Sequence, residues 1–316
     1  MSEGAPVPSV ALVLNPVARG AAAARRAVEA ACTQAGLGMP SVLPTTIAEP
    51  GGAQAREALA RGCRRVVVAG GDGTVRQVVG EVAAVAGQEV VVGVVPCGTA
   101  NLAARTLGLP TGRADAAARL AVRAEGHPID VGSLTLEPLD GPTSTLPFLV
   151  VVGAGHDAQI LAGLSPTAKA RWGWPAYVTP GLRRLGHAGS DLQITLDDGD
   201  PEELRAWSVL AVNAARLPLG AQVAPGARLD DGRLHVVLVQ PRRVSDWGAI
   251  AAGGFGARRP HPALVRRVGR HLRVELPGPG PVQVDGDVVP DILRLWIELR
   301  PAAVRVAGAR GSSGRR

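Results

Sequence analysis

The sequence predicts an α/β domain built on a parallel sheet, followed by an all-β, sandwich-like domain. Residues 10 to 129 alternate short β-branched apolar runs with helical patterns, which is the rhythm of βαβ units. From about Asp130 onward, short apolar runs recur with turn residues between them, which is typical of antiparallel sheets. A chain of 316 residues is also too long for one ordinary core. We therefore expect domains at 1–129 and 130–307, and a disordered tail at 308–316 that is rich in Gly, Ser and Arg.

The elements of the first domain follow from its apolar periodicity. The β-branched run Val66–Val68 indicates a buried strand, and four valines spaced i, i+3, i+4, i+7 after it predict an amphipathic helix opened by Thr74. By the same reasoning we predict strands at 10–14, 41–44, 65–69 and 90–95, and helices near 20–35, 51–61, 75–86, 101–107 and 113–124.

The second domain is predicted as a series of short strands. Its apolar runs lie at 146–152, 192–196, 207–213, 234–239, 272–276, 282–284 and 292–299. One helix is predicted around Tyr177 to Leu185. The regular spacing of the runs favours antiparallel pairing over βαβ crossovers.

Charge and composition favour an anionic partner. The formal net charge is +7 and the sequence pI is about 10.7, which attracts nucleotides and acidic membrane surfaces. A candidate membrane-facing patch is formed by Arg258, Arg259, Arg266, Arg267, Arg270 and Arg273. Aromatic residues make up only 3% of the chain, which speaks against single-stranded nucleic acid as the partner. The sequence indicates no oligomeric state.

Cysteine usage and hydropathy indicate a cytoplasmic chain. The three cysteines, Cys32, Cys63 and Cys97, show no Cys-x-x-Cys spacing, which argues for a reducing compartment. We find no signal-peptide pattern and no apolar run near the ~18 residues that a membrane span needs. Any contact with a membrane would therefore take place at the bilayer surface, on the inner face of the membrane.

The most informative motif is Gly70-Gly71-Asp72-Gly73-Thr74, which follows the strand at 65–69. Three glycines let backbone amides approach an anion closely, and the helix that follows directs its N-terminus at the same place. Asp72 adds one fixed negative charge, which suggests that a phosphate arrives here with a metal ion. The motif therefore predicts a phosphate site, although a tight turn with a helix cap would have the same pattern.

Two further strands end in polar turns. The strand at 90–95 is followed by Pro96-Cys97-Gly98-Thr99-Ala100-Asn101, and the strand at 10–14 by Asn15-Pro16-Val17-Ala18-Arg19-Gly20. Loops after parallel strands lie on the same sheet edge, which is where open α/β sheets bind ligands. We expect the three turns to form one site.

These motifs resemble the diacylglycerol kinase catalytic domain, in its branch of bacterial soluble lipid kinases, which is related to the sphingosine and ceramide kinases. The resemblance extends over most of the chain and continues in four later motifs: 129–132 (Ile-Asp-Val-Gly), 153–158 (Gly-Ala-Gly-His-Asp-Ala), 228–234 (Arg-Leu-Asp-Asp-Gly-Arg-Leu) and 284–287 (Val-Asp-Gly-Asp). It implies a nucleotide-binding domain related to NAD kinases and diacylglycerol kinases, a β-rich lipid domain whose last strand returns to the first domain, and an ATP- and Mg²⁺-dependent transfer of a phosphoryl group to a lipid hydroxyl.

The resemblance also implies roles for individual residues. We expect ATP to lie between the two domains, with Asp72 holding the catalytic Mg²⁺. Either Asp285 or Asp287 would take the proton of the acceptor hydroxyl, and the sequence does not separate them. A second, structural Mg²⁺ would be held by Asp231 with the backbone carbonyls of Arg228 and Arg233. The expected ATP-binding residues are Asn15, Pro16, Gly20, Thr46, Gly70, Gly71, Asp72, Gly73, Thr74, Gly98, Thr99 and Asn101.

Three positions depart from the family pattern. Leu102 stands where many members carry an aspartate, and Asp130 or Asp157 could supply the missing acid. Asp287 stands where glutamate is usual, and His156 where phenylalanine is common.

Two alternatives to a lipid kinase follow from the same residues. NAD kinase also carries Gly-Gly-Asp-Gly-Thr, but its second motif, an Asn-Glu pair, is missing from this chain. The departures at Leu102 and Asp287 leave open a pseudokinase that binds nucleotide or lipid without turnover. A dinucleotide oxidoreductase is disfavoured, because no acid follows Gly153–Ala158 at the required distance of about 20 residues.

Overall fold

The computed structural model describes residues 9–85, 89–163, 189–214, 224–243, 245–247, 250 and 261–309. The chain divides into two compact units. The first comprises Met1–Val131 and Ala302–Arg316, and the second comprises Gly132–Pro301. The predicted helix at 177–185 lies outside the described residues.

The first unit contains a parallel sheet. Its strands β1 (Val10–Leu14), β2 (Ser41–Pro44), β3 (Arg65–Gly70) and β4 (Val91–Pro96) are paired in the order β2-β1-β3-β4. The end of the last strand of the chain, β14 (Asp287–Ala307), pairs in parallel with β4, with Arg305 opposite Val91. This sheet confirms the α/β class predicted for the N-terminal part of the chain.

The helices that the structure describes in this unit are α1 (Ala21–Gln34), α2 (Gly52–Ala60), α3 (Asp72–Val85), α4 (Leu102–Thr106) and α5 (Ala114–Arg123). Helices α1 and α5 share one apolar cluster with β1, β3 and β4. The helical members of that cluster are mainly alanines, such as Ala24, Ala118 and Ala121, so the helices approach the strands closely. Helix α3 begins at Asp72, two residues before the predicted start at Thr74.

The second unit is antiparallel. It contains most of β5 (Gly126–Pro138), then β6 (Ser144–Phe148), β7 (Val151–Gly155), α6 (His156–Ala162), β8 (Ser190–Leu196), β9 (Glu202–Ala206), β10 (Ser208–Val212), β11 (Leu234–Val239), β12 (Leu264–Gly269), β13 (His271–Val284) and most of β14. The strand order is β12-β11-β10-β7-β13-β14, with β8 also on β13, β9 on β8, and β6 on β5. Side chains from strands across the unit form one apolar core. The β-rich class predicted for this part of the chain is confirmed.

Strand β13 explains one error of the sequence prediction. The runs predicted as separate strands at 272–276 and 282–284 belong to this single strand. Its register against β14 shifts between Glu275 and Gly280 and again before Val282, where the sequence carries alternating Pro and Gly. Proline and glycine are tolerated in a strand at such bulges. The bulged strand pairs with β8 through its first half and with β7 through its last three residues.

Other predicted boundaries were wrong in the second unit. The run 146–152 is two strands, β6 and β7, separated by Leu149 and Val150. Both separating residues are apolar and buried, so hydropathy does not mark the break. Strands β9 and β12 were not predicted, because adjacent charged residues, Glu202-Glu203 and Arg266-Arg267, interrupt their apolar pattern. Gly308 and Ala309, expected in a disordered tail, are packed in the first unit, where the Gly308 N–H donates to the Glu125 carbonyl at 3.1 Å.

Candidate active site

In the first unit, the polar turns after β1, β3 and β4 begin side by side. The Asn15 N–H donates to the Ala69 carbonyl at 2.9 Å, and the Cys97 N–H donates to the Gly70 carbonyl at 2.8 Å. The sheet ladder therefore continues for one residue into the turns. This registration follows from parallel pairing, and it gathers the predicted nucleotide residues at one sheet edge.

The two glycine turns touch each other. A Cβ atom placed on Gly98 would lie 2.8 Å from the Cα of Gly71, so a side chain there would push the turns apart. Asp72 joins the turns a second time, because its Oδ1 accepts the Ala103 N–H of helix α4 at 3.0 Å. Gly71 and Gly98 are 27 residues apart in the sequence. The two motifs that contain them therefore form one surface.

Asn101 shapes the second turn. Its Oδ1 accepts the Gly98 N–H at 2.8 Å, and its Nδ2 donates to the Gly98 carbonyl at 2.7 Å. Its backbone is left-handed, with φ of 48°, a conformation that asparagine tolerates better than most residues. The side chain is buried and bonds to both backbone groups of Gly98, and its role toward a nucleotide stays a prediction.

The remaining predicted nucleotide residues lie on the other turns of this edge. The Asn15 Oδ1 accepts the Val17 N–H at 3.2 Å, and Gly20, with φ of 87°, precedes helix α1. Thr46 closes its own turn, since its Oγ1 accepts the Glu49 N–H at 3.0 Å. Val17 in the turn at 15–20 and Ile47 in the turn at 45–50 are exposed large hydrophobic side chains.

Asp130 and Asp157 are the two acids that could compensate for the aspartate missing at Leu102. Leu102, at the position where an aspartate was expected from the family, is a buried residue at the start of α4. Asp130 is buried in the first unit and accepts the Ala302 N–H at 2.8 Å, which holds β14 at a left-handed residue with φ of 48°. Asp157 belongs to the second unit. Asp130 therefore takes part in fixing the backbone at the end of β14.

In the second unit, Asp285 and Gly286 form the two-residue loop between β13 and β14. Their φ angles are 49° and 92°, and Val284 pairs with Asp287 across the loop. Two left-handed residues in the order Asp-Gly are typical of a type I′ hairpin turn. The turn places Asp287 at the first position of β14, where it is exposed.

The two acids of this hairpin have different surroundings. The carboxylate of Asp285 is buried and accepts three backbone N–H groups, from Leu149 and Val150 at 2.8 Å and from Val151 at 3.0 Å. These bonds fix the break between β6 and β7, which the hydropathy pattern missed. A carboxylate engaged by three amides serves to hold the backbone, so Asp287 is the better candidate for a group that exchanges protons with a substrate.

Helix α6 buries a further acid beside this hairpin. The carboxyl of Asp157 lies over Gly153, where a Cβ atom would approach its Oδ2 to 2.0 Å. Burial raises the pKa of Asp157 to about 6, and hydrogen bonds from the side chains of Ser208 and Gln283 partly oppose that rise. The sequence motif 153–158 contained this acid, but its burial is decided by strands β7, β10 and β13.

His156, which replaces the phenylalanine expected from the family, belongs to an aromatic group. Its ring lies 5.1 Å from the ring of Trp207, which in turn contacts Trp247 edge-on at 4.8 Å. The Nδ1 atom of His156 is 3.0 Å from the Gln159 Oε1. The imidazole thus packs among aromatic rings, while its Nδ1 atom has a hydrogen-bond partner on the same helix.

Comparison with known protein families identifies both parts of the chain. Residues 9–134 match the model of the diacylglycerol kinase catalytic domain. Residues 150–308 match the model described as the YegS C-terminal NAD kinase beta sandwich-like domain.

Curated relatives agree with these matches. The chain is 32% identical over 259 residues to a protein of Pseudomonas aeruginosa strain UCBPP-PA14 named "Probable lipid kinase YegS-like", covering 81% of this chain and 80% of the relative. It is 26% identical over 236 residues to the diacylglycerol kinase of Staphylococcus carnosus, covering 74% and 73%.

The chain belongs to the diacylglycerol kinase family.

A solved structure supports the same fold. A diacylglycerol kinase from Bacillus anthracis strain Sterne superposes with a TM-score of 0.69 at 20% identity, covering 95% of this chain and 96% of that one. The family resemblance inferred from the sequence motifs is confirmed, and with it the expectation of a kinase. NAD kinase was the alternative interpretation of the motif Gly-Gly-Asp-Gly-Thr. The N-terminal residues match the diacylglycerol kinase catalytic domain instead.

Membership of this family implies Mg²⁺, and the residues at Asp72 fit such an ion. Magnesium is held by one or two carboxylates together with phosphates and water. Asp72 offers a carboxylate at the junction of two glycine turns, with one oxygen anchored by Ala103. In the described residues, no group of three or more His, Cys, Asp and Glu side chains forms an all-protein metal site.

In the turn expected to hold a second Mg²⁺, the carboxylates accept hydrogen bonds from the turn itself and from His235. The Asp231 carboxylate accepts the N–H groups of Arg228 and Arg233 at 3.1 and 2.9 Å, and His235 Nε2 lies 2.9 Å from its Oδ2. The neighbouring Asp230 is bound by the Arg228 guanidinium at 2.7 to 2.9 Å. Hydrogen-bond donors of the turn thus engage both carboxylates, and the structural Mg²⁺ at Asp231 stays a prediction.

The arginines of the candidate membrane patch differ in their contacts. Arg267 forms an ion pair with Glu202, and Arg273 pairs with Glu275 and stacks on the Trp296 ring at 5.5 Å. Arg258 and Arg259 lie outside the described residues. Among the helices that the structure describes, we find none with the length and hydropathy to cross a bilayer.

Proposed function

We propose that this chain is an ATP- and Mg²⁺-dependent lipid kinase that transfers the γ-phosphoryl group to the hydroxyl of diacylglycerol or a similar lipid. The observation that carries the proposal is the junction of the two glycine turns, where Gly71 contacts Gly98 and Asp72 bonds to Ala103. The names of the curated relatives, lipid kinase and diacylglycerol kinase, support a lipid as the acceptor.

The glycine turns would bind the phosphates of ATP. Backbone N–H groups at 70–73 and the N-terminus of the 14-residue helix α3 provide donors and a favourable dipole for an anion. Asp72 would hold Mg²⁺ on the phosphates, and the ion would neutralise charge that develops during transfer. The turns at 15–20 and 98–101 would border the nucleotide, with Asn101 maintaining the shape of its loop.

Asp287 would accept the proton of the lipid hydroxyl. It is exposed at the start of β14, while Asp285 in the same hairpin is occupied by backbone amides. A positioned carboxylate in this role contributes about 10²- to 10⁴-fold to a rate. The shorter side chain relative to glutamate makes the exact position of the hairpin important.

A lipid acceptor implies that the enzyme binds its substrate at a membrane surface. The net charge of +7 would favour contact with anionic lipids on the inner face of the membrane. A soluble nucleotide and a membrane-bound alcohol would then meet on one protein.

The decisive experiment measures transfer of ³²P from ATP to a panel of lipid alcohols in mixed micelles with Mg²⁺. The panel contains diacylglycerol, monoacylglycerol, phosphatidylglycerol, a sphingoid base and a polyprenol, with NAD⁺ as a parallel acceptor. Label in a lipid supports the proposal and names the substrate. Label in NAD⁺ alone overturns it, and ATP binding without any labelled acceptor favours a pseudokinase. The Asp72→Asn variant serves as the matched control for background transfer.

A further inference from the structure

We propose that Gln283, oriented by Asp157, is a positioning residue that fixes the hairpin bearing Asp287. The inference deepens the proposed function and rests on it, because Asp287 is the proposed base of that reaction. All four groups involved, Asp157, Gln283, Gly286 and Asp287, belong to the second unit.

Gln283 connects the hairpin to helix α6. Its Oε1 accepts the Gly286 N–H at 3.0 Å. Its Nε2 lies beside the carboxyl of Asp157, since a Cβ atom on Gly153 would be 2.9 Å from that Nε2 and 2.0 Å from the Asp157 Oδ2, and the amide can donate to the carboxyl there. An acceptor for Gly286 on one side and a donor to Asp157 on the other fix the orientation of the amide group. The side chain is 4% exposed, so water does not compete for these bonds.

The burial of Asp157 lowers the folding stability of the protein. It lies on the first turn of α6, and the Ser208 Oγ accepts its backbone N–H at 3.0 Å. Its Oδ1 is buried without a hydrogen-bond partner, while its Oδ2 packs over Gly153. A buried acid in such surroundings costs folding free energy, which is unusual unless it serves a purpose elsewhere.

The bond to Gly286 acts on a two-residue loop. In a type I′ turn both central residues have positive φ, and the residue that follows leaves the turn in a direction set by them. Asp285 anchors one side of this loop to the backbone at 149–151, and Gln283 anchors the other side through Gly286. The first residue after the two anchors is Asp287, so the anchors fix the backbone that carries its carboxylate.

The loss of one anchor should therefore change catalysis more than binding. A displacement of a catalytic group by about 1 Å can cost about 100-fold in rate. We expect Gln283→Leu to lower kcat by about 10- to 100-fold while the KM for ATP stays within twofold. The matched control is Gln193→Leu, the same change on β8, which we expect to leave kcat unchanged.

A polarity swap tests the pair directly. Gln283→Glu sets two carboxyl groups against each other and should lower kcat at pH 8 by at least 10-fold. Adding Asp157→Asn reverses the donor and the acceptor, since the introduced asparagine amide can donate to the introduced glutamate, whose second oxygen still accepts from Gly286. We expect the double variant to recover most of the wild-type kcat, and a failure of this rescue in a folded protein would overturn the pairing.

A readout independent of activity keeps the inference separate from the proposed function. By NMR, the Gly286 amide should exchange with solvent at least about 10-fold faster in Gln283→Leu than in wild type, because its acceptor is lost. Unchanged exchange overturns the anchor. An active wild type with unchanged kcat in Gln283→Leu overturns the positioning role alone. A wild type that labels no lipid removes the proposed function and the positioning role together, even if the exchange result holds.

Discussion

Replacing Asp157 by asparagine should stabilise the protein at neutral pH, because the native structure holds this carboxyl in surroundings that favour its neutral form. Burial raises its pKa from 3.8 to about 6. A shift of about 2 pKa units corresponds to about 3 kcal/mol at about 1.4 kcal/mol per unit. Asparagine keeps a polar group of the same size, and its Oδ1 can still accept from Gln283.

The sign of the pH dependence follows from proton linkage. The folded protein binds the Asp157 proton more tightly than the unfolded chain does, so the native state is favoured while the carboxyl is protonated. This contribution is fully present below pH ~4 and is lost as the pH rises through about 6. Wild type should therefore lose up to about 3 kcal/mol through this group between pH 4 and pH 7, and the asparagine variant should not.

Urea unfolding followed by tryptophan fluorescence measures the effect. All five tryptophans of the chain lie between residues 172 and 296, within the second unit, so the signal reports the unit that contains Asp157. The quantity of interest is the difference in unfolding free energy between variant and wild type at each pH, because groups common to both cancel.

The control is Asp197→Asn. The backbone N–H groups of Arg270 and His271 bond to the Asp197 carboxylate at 2.7 and 2.8 Å and lower its pKa, against the opposing effect of burial. This carboxylate should stabilise the fold when ionised, so its loss should be felt at neutral pH and should fade in acid. A difference for Asp157→Asn that is the same at pH 4.5 and pH 7.5, or that follows the Asp197 trend, would refute the reasoning.

Three further outcomes are expected at the glycine turns and the hairpin. Asp72→Asn should lower kcat by about 10²- to 10³-fold with little change in melting temperature, and full lipid-kinase activity would contradict the Mg²⁺ assignment. Asp287→Asn should lower kcat without loss of stability, whereas Asp285→Ala should destabilise the fold by about 1–3 kcal/mol for each amide left unpaired. Calorimetry measures the stability of both variants and initial rates measure their kcat. A reversed pattern would exchange the roles of the two acids. Gly98→Ala, which forces its Cβ to 2.8 Å from Gly71, should raise the Kd for ATP in titration calorimetry, and unchanged affinity would show that the contact does not shape the site.

Much of the first unit could be predicted because its signals are local. The valine runs of β1, β3 and β4 and the alanine-rich helices show their periods over a few residues, and the predicted strands at 10–14 and 41–44 match the structure. The family motifs were also continuous in sequence, so the kinase identity followed from the residues at 70–74 and 96–105.

The second unit was harder because its boundaries depend on partners far along the chain. The break between β6 and β7 is set by Asp285, more than 130 residues away, and no property of Leu149 or Val150 reveals it. The continuity of β13 through its Pro-Gly segment depends on bulged pairing with β14. Strand pairing of this kind is a non-local property, and hydropathy windows do not contain it.

The sequence by itself determined the fold class, the family and the set of residues at the glycine turns, because each of these is written in short continuous motifs. Only the tertiary structure distinguishes the surroundings of Asp285 and Asp287, since three backbone amides reach the carboxylate of Asp285 while Asp287 is exposed. It also decided that Asp157 is a buried acid next to Gln283, and that the Asp231 carboxylate is engaged by its own turn. Burial and hydrogen bonding set what a carboxylate can do, and both are properties of the folded surroundings rather than of the residue.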